Sequence, residues 1–304
     1  TSLSYQHDKL TRRKQVAPQR ASVAPTTMEP GIHDGQYLLS EYIADYVSDG
    51  RPLNLFLKLR ADGRLGAGSN IQNNYKAGVE WSLAKNYGFG QVYDLTRPLS
   101  ASWTTRPRAY RDIPALRVLS LYAEDNFRAV MGESSFDLQI GVRAIGLTGL
   151  DKRFRLAGKM YADPRINAVF NFPSFNLGGS ACHLLLAGGY GVTTKMPTVD
   201  YLYPQVHYND MLQLNYYDAT NPLQNSRVNL RTYIDDPTNY ELRAARNHKW
   251  EVRLGANWGG NTMSVTFFSE RMNSGYRYST VYGAYELRRY DASGLVSAEL
   301  SGPP

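Results

Sequence analysis

Residues 53–60 read Leu-Asn-Leu-Phe-Leu-Lys-Leu-Arg, with Leu53, Leu55, Leu57 and Leu59 at every second place. Side chains along a strand point to opposite faces in turn, so this stretch has an apolar face and an opposite face carrying Lys58 and Arg60. The pattern returns at 136–143, where Phe136, Leu138, Ile140 and Val142 alternate with Asp137, Gln139, Gly141 and Arg143. It returns again at 249–258, where Trp250, Val252, Leu254, Ala256 and Trp258 alternate with Lys249, Glu251, Arg253, Gly255 and Asn257. A soluble sheet must cover such an apolar face with a second layer. An outer-membrane barrel turns it to lipid and turns the polar face to a wet lumen.

Composition narrows the choice. Hydrophobic content of 42% and a mean hydropathy of -0.44 exclude a helical membrane protein. No run approaches the roughly 20 apolar residues that a spanning helix needs. The 23 tyrosines far outnumber the 10 phenylalanines and 4 tryptophans. Tyrosine suits a membrane–water interface, and it is also simply a good strand former. The net charge of +7 is spread over the strands. Arg12, Arg13 and Lys14 form the one basic run, so the patch expected of a nucleic-acid binder is missing. Lone Cys182 excludes a disulfide framework.

Along the chain, residues 1–34 read as a partial strand and a long loop, with Pro18, Pro25 and Pro30. Residues 35–294 read as successive strands, and 295–304 as a loop or truncated end. In 36–48, Leu38, Tyr42, Ala44 and Tyr46 share a face, and Asp49-Gly50-Arg51-Pro52 supplies turn chemistry. Tyr75, Ala77, Val79, Trp81 and Leu83 form a further apolar face. Residues 86–114 read as a surface loop. Strands are expected over 117–127, 135–145, 153–162, 166–172, 181–193, 211–217, 227–234, 248–258 and 262–270. A short turn is expected at Ala162-Asp163-Pro164, and 195–210 reads as a long loop. Short links at one end and long ones at the other are the habit of up-and-down outer-membrane barrels. Residues 240–246 are the best helical candidate.

The chemistry-bearing residue types form no constellation. His7, His33, His183, His207 and His248 lack metal-ligand spacing. Gly188, Gly189 and Gly191 precede Lys195, but the second glycine and the hydroxyl residue of a phosphate-cradling loop are absent. Adjacent Asp235 and Asp236 read as a solvated loop. The sequence therefore offers no catalytic residue, no metal set, no cofactor motif and no enzyme.

Three segments carry a resemblance. Gly188-to-Pro204, GGYGVTTKMPTVDYLYP, resembles a strand and loop of TonB-dependent outer-membrane receptors of the SusC/RagA-like type from Bacteroidota, through Pro197, Thr198, Leu202, Tyr203 and Pro204. His248-to-Tyr276 is similar to a later hairpin of that family, through Glu251, Gly255, Gly260, Asn261, Phe267, Phe268, Glu270 and Arg271. Lys85-to-Pro98, KNYGFGQVYDLTRP, looks like one of its extracellular loops.

The resemblance implies an all-β, antiparallel up-and-down transmembrane barrel with long extracellular loops. This chain would supply about 10–12 strands of about 22. The family's plug domain, TonB-contacting box and terminal aromatic strand are not among these residues, so the expectation is an interior barrel portion. The implied function is import of a nutrient, whether glycan, oligopeptide or metal or vitamin complex, driven by inner-membrane energy. The implied partners are the remaining strands and plug, TonB, a SusD-like surface lipoprotein, and outer-membrane lipid with lipopolysaccharide, but no nucleic acid. The expected lipid-facing residues are Leu53, Leu55, Leu57, Leu59, Phe136, Leu138, Ile140, Val142, Trp250, Val252 and Leu254. Lys58, Arg60, Arg143, Glu251 and Arg253 are expected to face the lumen. Loop residues Tyr201, Tyr203, Tyr208, Asn209, Tyr216 and Tyr217 could stack on ligand. The rivals are a passive outer-membrane channel or adhesin barrel, and a soluble β-sandwich module.

Overall fold

The computed structural model describes residues 1–24, 27–218, 220 and 226–290. Residues 295–304 and the last residues of the expected 35–294 unit lie outside the described residues. Strands take 61% of the described residues and helix 2%, so the fold is all-β.

In chain order the strands are β1 Ser2–Tyr5, β2 Asp8–Val16, β3 Val23–Ala24, β4 Gly31–Asp34, β5 Gln36–Tyr37, β6 Tyr42–Gly50, β7 Pro52–Leu65, β8 Ile71–Asn86 and β9 Gly90–Tyr93. They continue as β10 Leu116–Met131, β11 Ser134–Leu147, β12 Met160–Asn171, β13 Phe175–Leu177, β14 Ser180–Lys195, β15 His207–Tyr216, β16 Arg227–Asp235, β17 Ala245–Trp258 and β18 Asn261–Met272. A single α-helix among the described residues, α1 Val199–Leu202, sits between β14 and β15.

Ten strands form one antiparallel sheet in the order β1-β7-β8-β10-β11-β12-β14-β17-β18, with β13 beside β14. The order is linear, so the described residues form an open wall and not a closed barrel. Partners in antiparallel register share a face. One register row runs Ile71, Ala129, Phe136, Phe170, Leu186, Leu254 and Val265 from β8 to β18. A row on the other side runs Asp62, Lys76, Glu124, Gly141, Arg165, Gly191, Lys249 and Glu270. The phase set by 53–60, 136–143 and 249–258 is therefore shared by the wall as a whole.

The two ends of the wall differ. At one end β7–β8, β10–β11 and β17–β18 are joined through residues 66–70, 132–133 and 259–260. At the other end the links are 87–115, 148–159 and 196–244, and β2 and β6 continue the β1–β7 pair past the wall. These long links build a loop layer containing the small sheets β2-β6-β9, β15-β16-β4 and β3-β5. They lean over the polar side. Val118 and Tyr161, on that face near its upper end, pack against the buried cluster of Leu147, Phe154, Leu156, Leu202 and Ala244.

Several expectations are corrected. Of the strand expected over 153–162, residues 153–159 are a loop and 160–162 open β12, so that Ala162-Asp163-Pro164 lies inside that strand. Asp163 makes this possible: its carboxylate accepts the Thr194 backbone N–H at 2.9 Å and the Thr194 hydroxyl at 2.5 Å. It thereby replaces the main-chain ladder, which on the β14 side begins only at Arg165 opposite Gly191. Asp49–Pro52 is no turn, because β6 runs on into β7. Arg51 donates its backbone N–H to Asn86 Oδ1 at 2.8 Å and accepts from Tyr87 N–H at 2.9 Å, so the joint needs no reversal. Residues 240–246 are a turn followed by the start of β17, not a helix. The strands expected at 211–217 and 227–234 exist as β15 and β16, but they belong to the loop layer. Residues 1–34 hold β1 to β4 rather than one strand end and a loop.

The turn at Gly259 and Gly260 generates a prediction. Both have positive φ, 55° and 81°, which a two-residue hairpin requires. A Cβ on Gly260 meets nothing within 4 Å, so the penalty there is backbone strain alone. Gly260→Val is expected to lower stability by about 1–2 kcal/mol, read as an earlier urea midpoint. An unchanged midpoint would mean that the turn has another shape.

Candidate functional site

The polar face of the wall is an ordered surface. Lys58 on β7 meets Glu80 on β8 at 2.8 Å, and Arg143 reaches the other oxygen of Glu80 at 3.6 Å. Arg143 also donates to Ser120 Oγ at 3.0 Å. One strand-step lower, Lys76 pairs with Glu124, which accepts from Gln139 Nε2 at 2.9 Å, and Gln139 in turn accepts from Asn167 Nδ2 at 2.9 Å. The chain of contacts crosses β8, β10, β11 and β12. It exists because polar residues at every second position fall into register. Each cross-strand pair of this kind contributes roughly 0.2–1 kcal/mol.

Three hollows in the wall all open on this face. The central one, of about 300 Å³, is bordered by Glu124, Arg143, Asp163, Arg165, Lys249 and Glu251, with Gly141, Gly189 and Gly191 as its floor. A Cβ on Gly189 would sit 2.6 Å from Asn167 Oδ1, so any side chain there would require the Asn167 amide to move. Such a surface can hold polar solutes by hydrogen bonds and charge. Among the described residues, no group of three His, Cys, Asp or Glu side chains could hold a metal ion.

The loop layer has its own keystone. Arg106, 1% exposed, lies between β9 and β10 and pairs with Asp210 of β15 at 2.6 Å. Its Nε donates to Thr27 O at 3.2 Å, and its guanidinium lies 4.9 Å from the Tyr208 ring centroid. Asp210 also accepts from Thr232 Oγ1 of β16 at 2.6 Å. Three separate connections are thus tied at one buried ion pair. A second hollow, of about 410 Å³, opens beside it between Tyr203, Tyr208 and Pro107. Beyond β18, the Tyr276 phenol accepts Ala245 N–H at 3.1 Å and donates to Arg243 O at 2.9 Å; burial pushes its pKa up to about 12.

The register puts Leu53, Leu55, Leu57, Leu59, Phe136, Leu138, Ile140, Val142, Trp250, Val252 and Leu254 on one face. Lys58, Arg60, Arg143, Glu251 and Arg253 fall on the other. Arg60 pairs with Asp62 at 3.1 Å and Glu251 with Lys249 at 3.1 Å, whereas Arg253 has no such partner among the described residues. The six loop residues do not converge. Tyr203 and Tyr208 border the same hollow. Tyr201 stacks with Tyr278 at 5.3 Å, Asn209 donates to Asp235 and Tyr285, Tyr216 O accepts from Tyr37, and Tyr217 packs edge-on to Tyr37. Each therefore has an intramolecular structural contact. Sequence reasoning passed over Arg106 and Asp210, which stand 104 positions apart with no local pattern to link them. It also passed over Arg165, although the period-two phase shared with Asp163 and Asn167 signalled its face.

Removing one partner of a buried ion pair strands the other charge, at a cost of about 3–5 kcal/mol. Arg106→Met is expected to expose loops 87–115 and 196–244 to limited trypsin digestion while the wall strands stay protected. The double variant Arg106→Met/Asp210→Leu should recover part of that resistance. Equal digestion of wild type and Arg106→Met would remove the pair from its structural role. Compared with protein-family models, with curated proteins and with solved structures, the chain matches none.

Proposed function

We propose that this wall is part of an outer-membrane β-barrel belonging to a TonB-dependent transporter that imports a polar nutrient. The observation that carries the reading is an apolar face left largely uncovered on interior strands, opposite the partly sheltered carboxylates of Glu124 and Glu80. On interior strands the Glu124 and Glu80 side chains are 16% and 20% exposed, while Leu254 and Ile140 on the opposite face are 54% and 49% exposed. In water, an apolar side chain left half uncovered forgoes roughly half of the 1.5–3 kcal/mol or so that full burial brings. In lipid the same face is satisfied, and the sheltered carboxylates border an aqueous path.

Further features support a membrane setting. Trp250 and Trp258 stand at the two ends of the apolar stretch of β17, about 26 Å apart along the strand at the usual rise. Tyr190 shares a register row with Trp250, and Lys85, Arg117 and Arg271 follow beyond the apolar stretches of their own strands. Aromatic borders of this kind suit the two membrane interfaces. Strands of 14 and 16 residues exceed the 9–11 or so that cross a bilayer, so their ends continue into the loop layer. Asp125 is an exception on the apolar face, with one carboxylate oxygen buried and unpartnered among the described residues.

The edge of β18, and that of β7 beyond Phe56, are unpaired in the described sheet. Unpaired backbone groups are not tolerated in lipid, so the barrel reading includes further strands against both edges. TonB coupling, a plug and a SusD-like lipoprotein rest on the resemblance of Gly188–Pro204 and His248–Tyr276.

The test uses the full-length protein. It should fractionate with the outer membrane, resist urea extraction and need detergent to stay monodisperse. Leu254→Arg should lower stability by about 2–4 kcal/mol if the residue lies near the bilayer midplane. Uptake should stop when a protonophore collapses the inner-membrane gradient; continued uptake would instead fit a passive channel. A detergent-free, monodisperse protein would sink the membrane reading.

A further inference from the structure

We propose that Arg165 and Lys249, with Gly141 and Gly191 beside them, form an oxyanion-binding subsite on the polar face of the wall. The proposal deepens the transport reading by naming the chemistry of the solute: a polar molecule carrying a carboxylate, sulfate or phosphate group.

The row that contains this pair runs Asp62, Lys76, Glu124, Gly141, Arg165, Gly191, Lys249 and Glu270. Its first three members follow the usual logic of alternating sign, with Lys76 paired to Glu124. At Arg165 the logic breaks. Its direct neighbours on β11 and β14 are both glycines, so no side chain from either adjacent strand reaches it along the row. Arg165 is exposed and has no hydrogen bond or ion pair among the described residues. Lys249 stands two strands away, about 10 Å at the usual interstrand spacing. Its one partner is Glu251, at 3.1 Å, with both side chains about half exposed.

The space between them is open. A Cβ on Gly191 would meet nothing within 4 Å, and both cations border the central hollow of about 300 Å³, whose rim also carries Arg143 and the carboxylates of Glu124, Asp163 and Glu251. A guanidinium presents a planar fork of donors that matches a carboxylate or sulfate edge. An ammonium adds a flexible second donor from across the gap. An exposed, unpaired arginine beside a side-chain-free gap has donors to offer that the fold does not use. Arg253, also unpaired but with Ala187 as its β14 neighbour, provides an internal comparison.

The test is arginine modification by phenylglyoxal in full-length protein in detergent, with rates read site by site by mass spectrometry. Arg165 and Arg253 should both label. Acetate, sulfate and phosphate are the probes, and acetamide is the neutral control. The oxyanions should slow labelling of Arg165 at least fivefold in a saturable manner, acetamide should not, and Arg253 should be unaffected. The ranking of the three anions distinguishes a carboxylate-bearing solute from a sulfated or phosphorylated one. Lys249→Gln should weaken the protection of Arg165 by all three anions. Failure of all three anions to protect, equal protection of Arg253 through general ionic screening, or an Arg165 that does not label would each overturn the proposal. None of these readouts depends on detergent requirement or fractionation, so the subsite and the membrane reading fail separately.

Discussion

The structure depends on register. A strand's side chains repeat every two residues, so slipping any one pairing by a single place would carry its leucines to the polar side and its lysines to the apolar side. From β7 to β18 the pairings hold one phase. The ion pairs of Lys58, Arg143 and Lys76 with Glu80 and Glu124 bridge strands on one face only because that phase is kept. The same constraint gathers Phe136, Phe170, Leu186 and Leu254 into a continuous apolar surface. Two surfaces of opposite character thus follow from one geometric rule applied to every strand.

The loop layer obeys different physics. Its connections are too long to be held by the ladders of the wall, and they are fixed by side chains instead. Arg106 and Asp210 form a buried pair joined to Thr27, Tyr208 and Thr232, while Leu202, Phe154 and Leu156 fill the space above Leu147. Tyr276 fastens the chain after β18 to the ends of β14 and β17 through hydrogen bonds at a single phenol. A buried ion pair is seldom a large net source of stability, but once formed it makes the loss of either partner expensive. That asymmetry suits a layer that must keep one arrangement at the end of the wall.

The wall was legible in the sequence because its signal is local. Leu53 to Leu59, Phe136 to Val142 and Trp250 to Trp258 each declare both strand and face within seven to nine residues. The loop layer was not legible, because its determinants are distant in sequence. Nothing near Arg106 points to Asp210, and β15 and β16 carry strand patterns without any mark that they leave the wall. Ala162-Asp163-Pro164 misled for a physical reason: the residues read as a turn, yet the Asp163 carboxylate stands in for missing ladder bonds and lets the strand pass through a proline. The tyrosines singled out as ligand platforms were an inference from composition, and in the fold Tyr201 packs on Tyr276 and Tyr278, Tyr203 on Phe154, Tyr208 against Arg106 and Tyr217 on Tyr37. Arg165 needed the register as well as the phase, since its isolation comes from the glycines on either side.

The account rests on which solvent meets the apolar face. A nitroxide scan of residues 136–143, in full-length protein with Cys182 replaced by alanine and reconstituted in bilayers, reads this directly. Labels at Phe136, Leu138, Ile140 and Val142 should collide preferentially with oxygen dissolved in lipid. Labels at Asp137, Gln139, Gly141 and Arg143 should collide preferentially with a water-soluble nickel chelate. If the first set is closed to both reagents, a second protein layer covers those side chains, and the wall does not face a membrane.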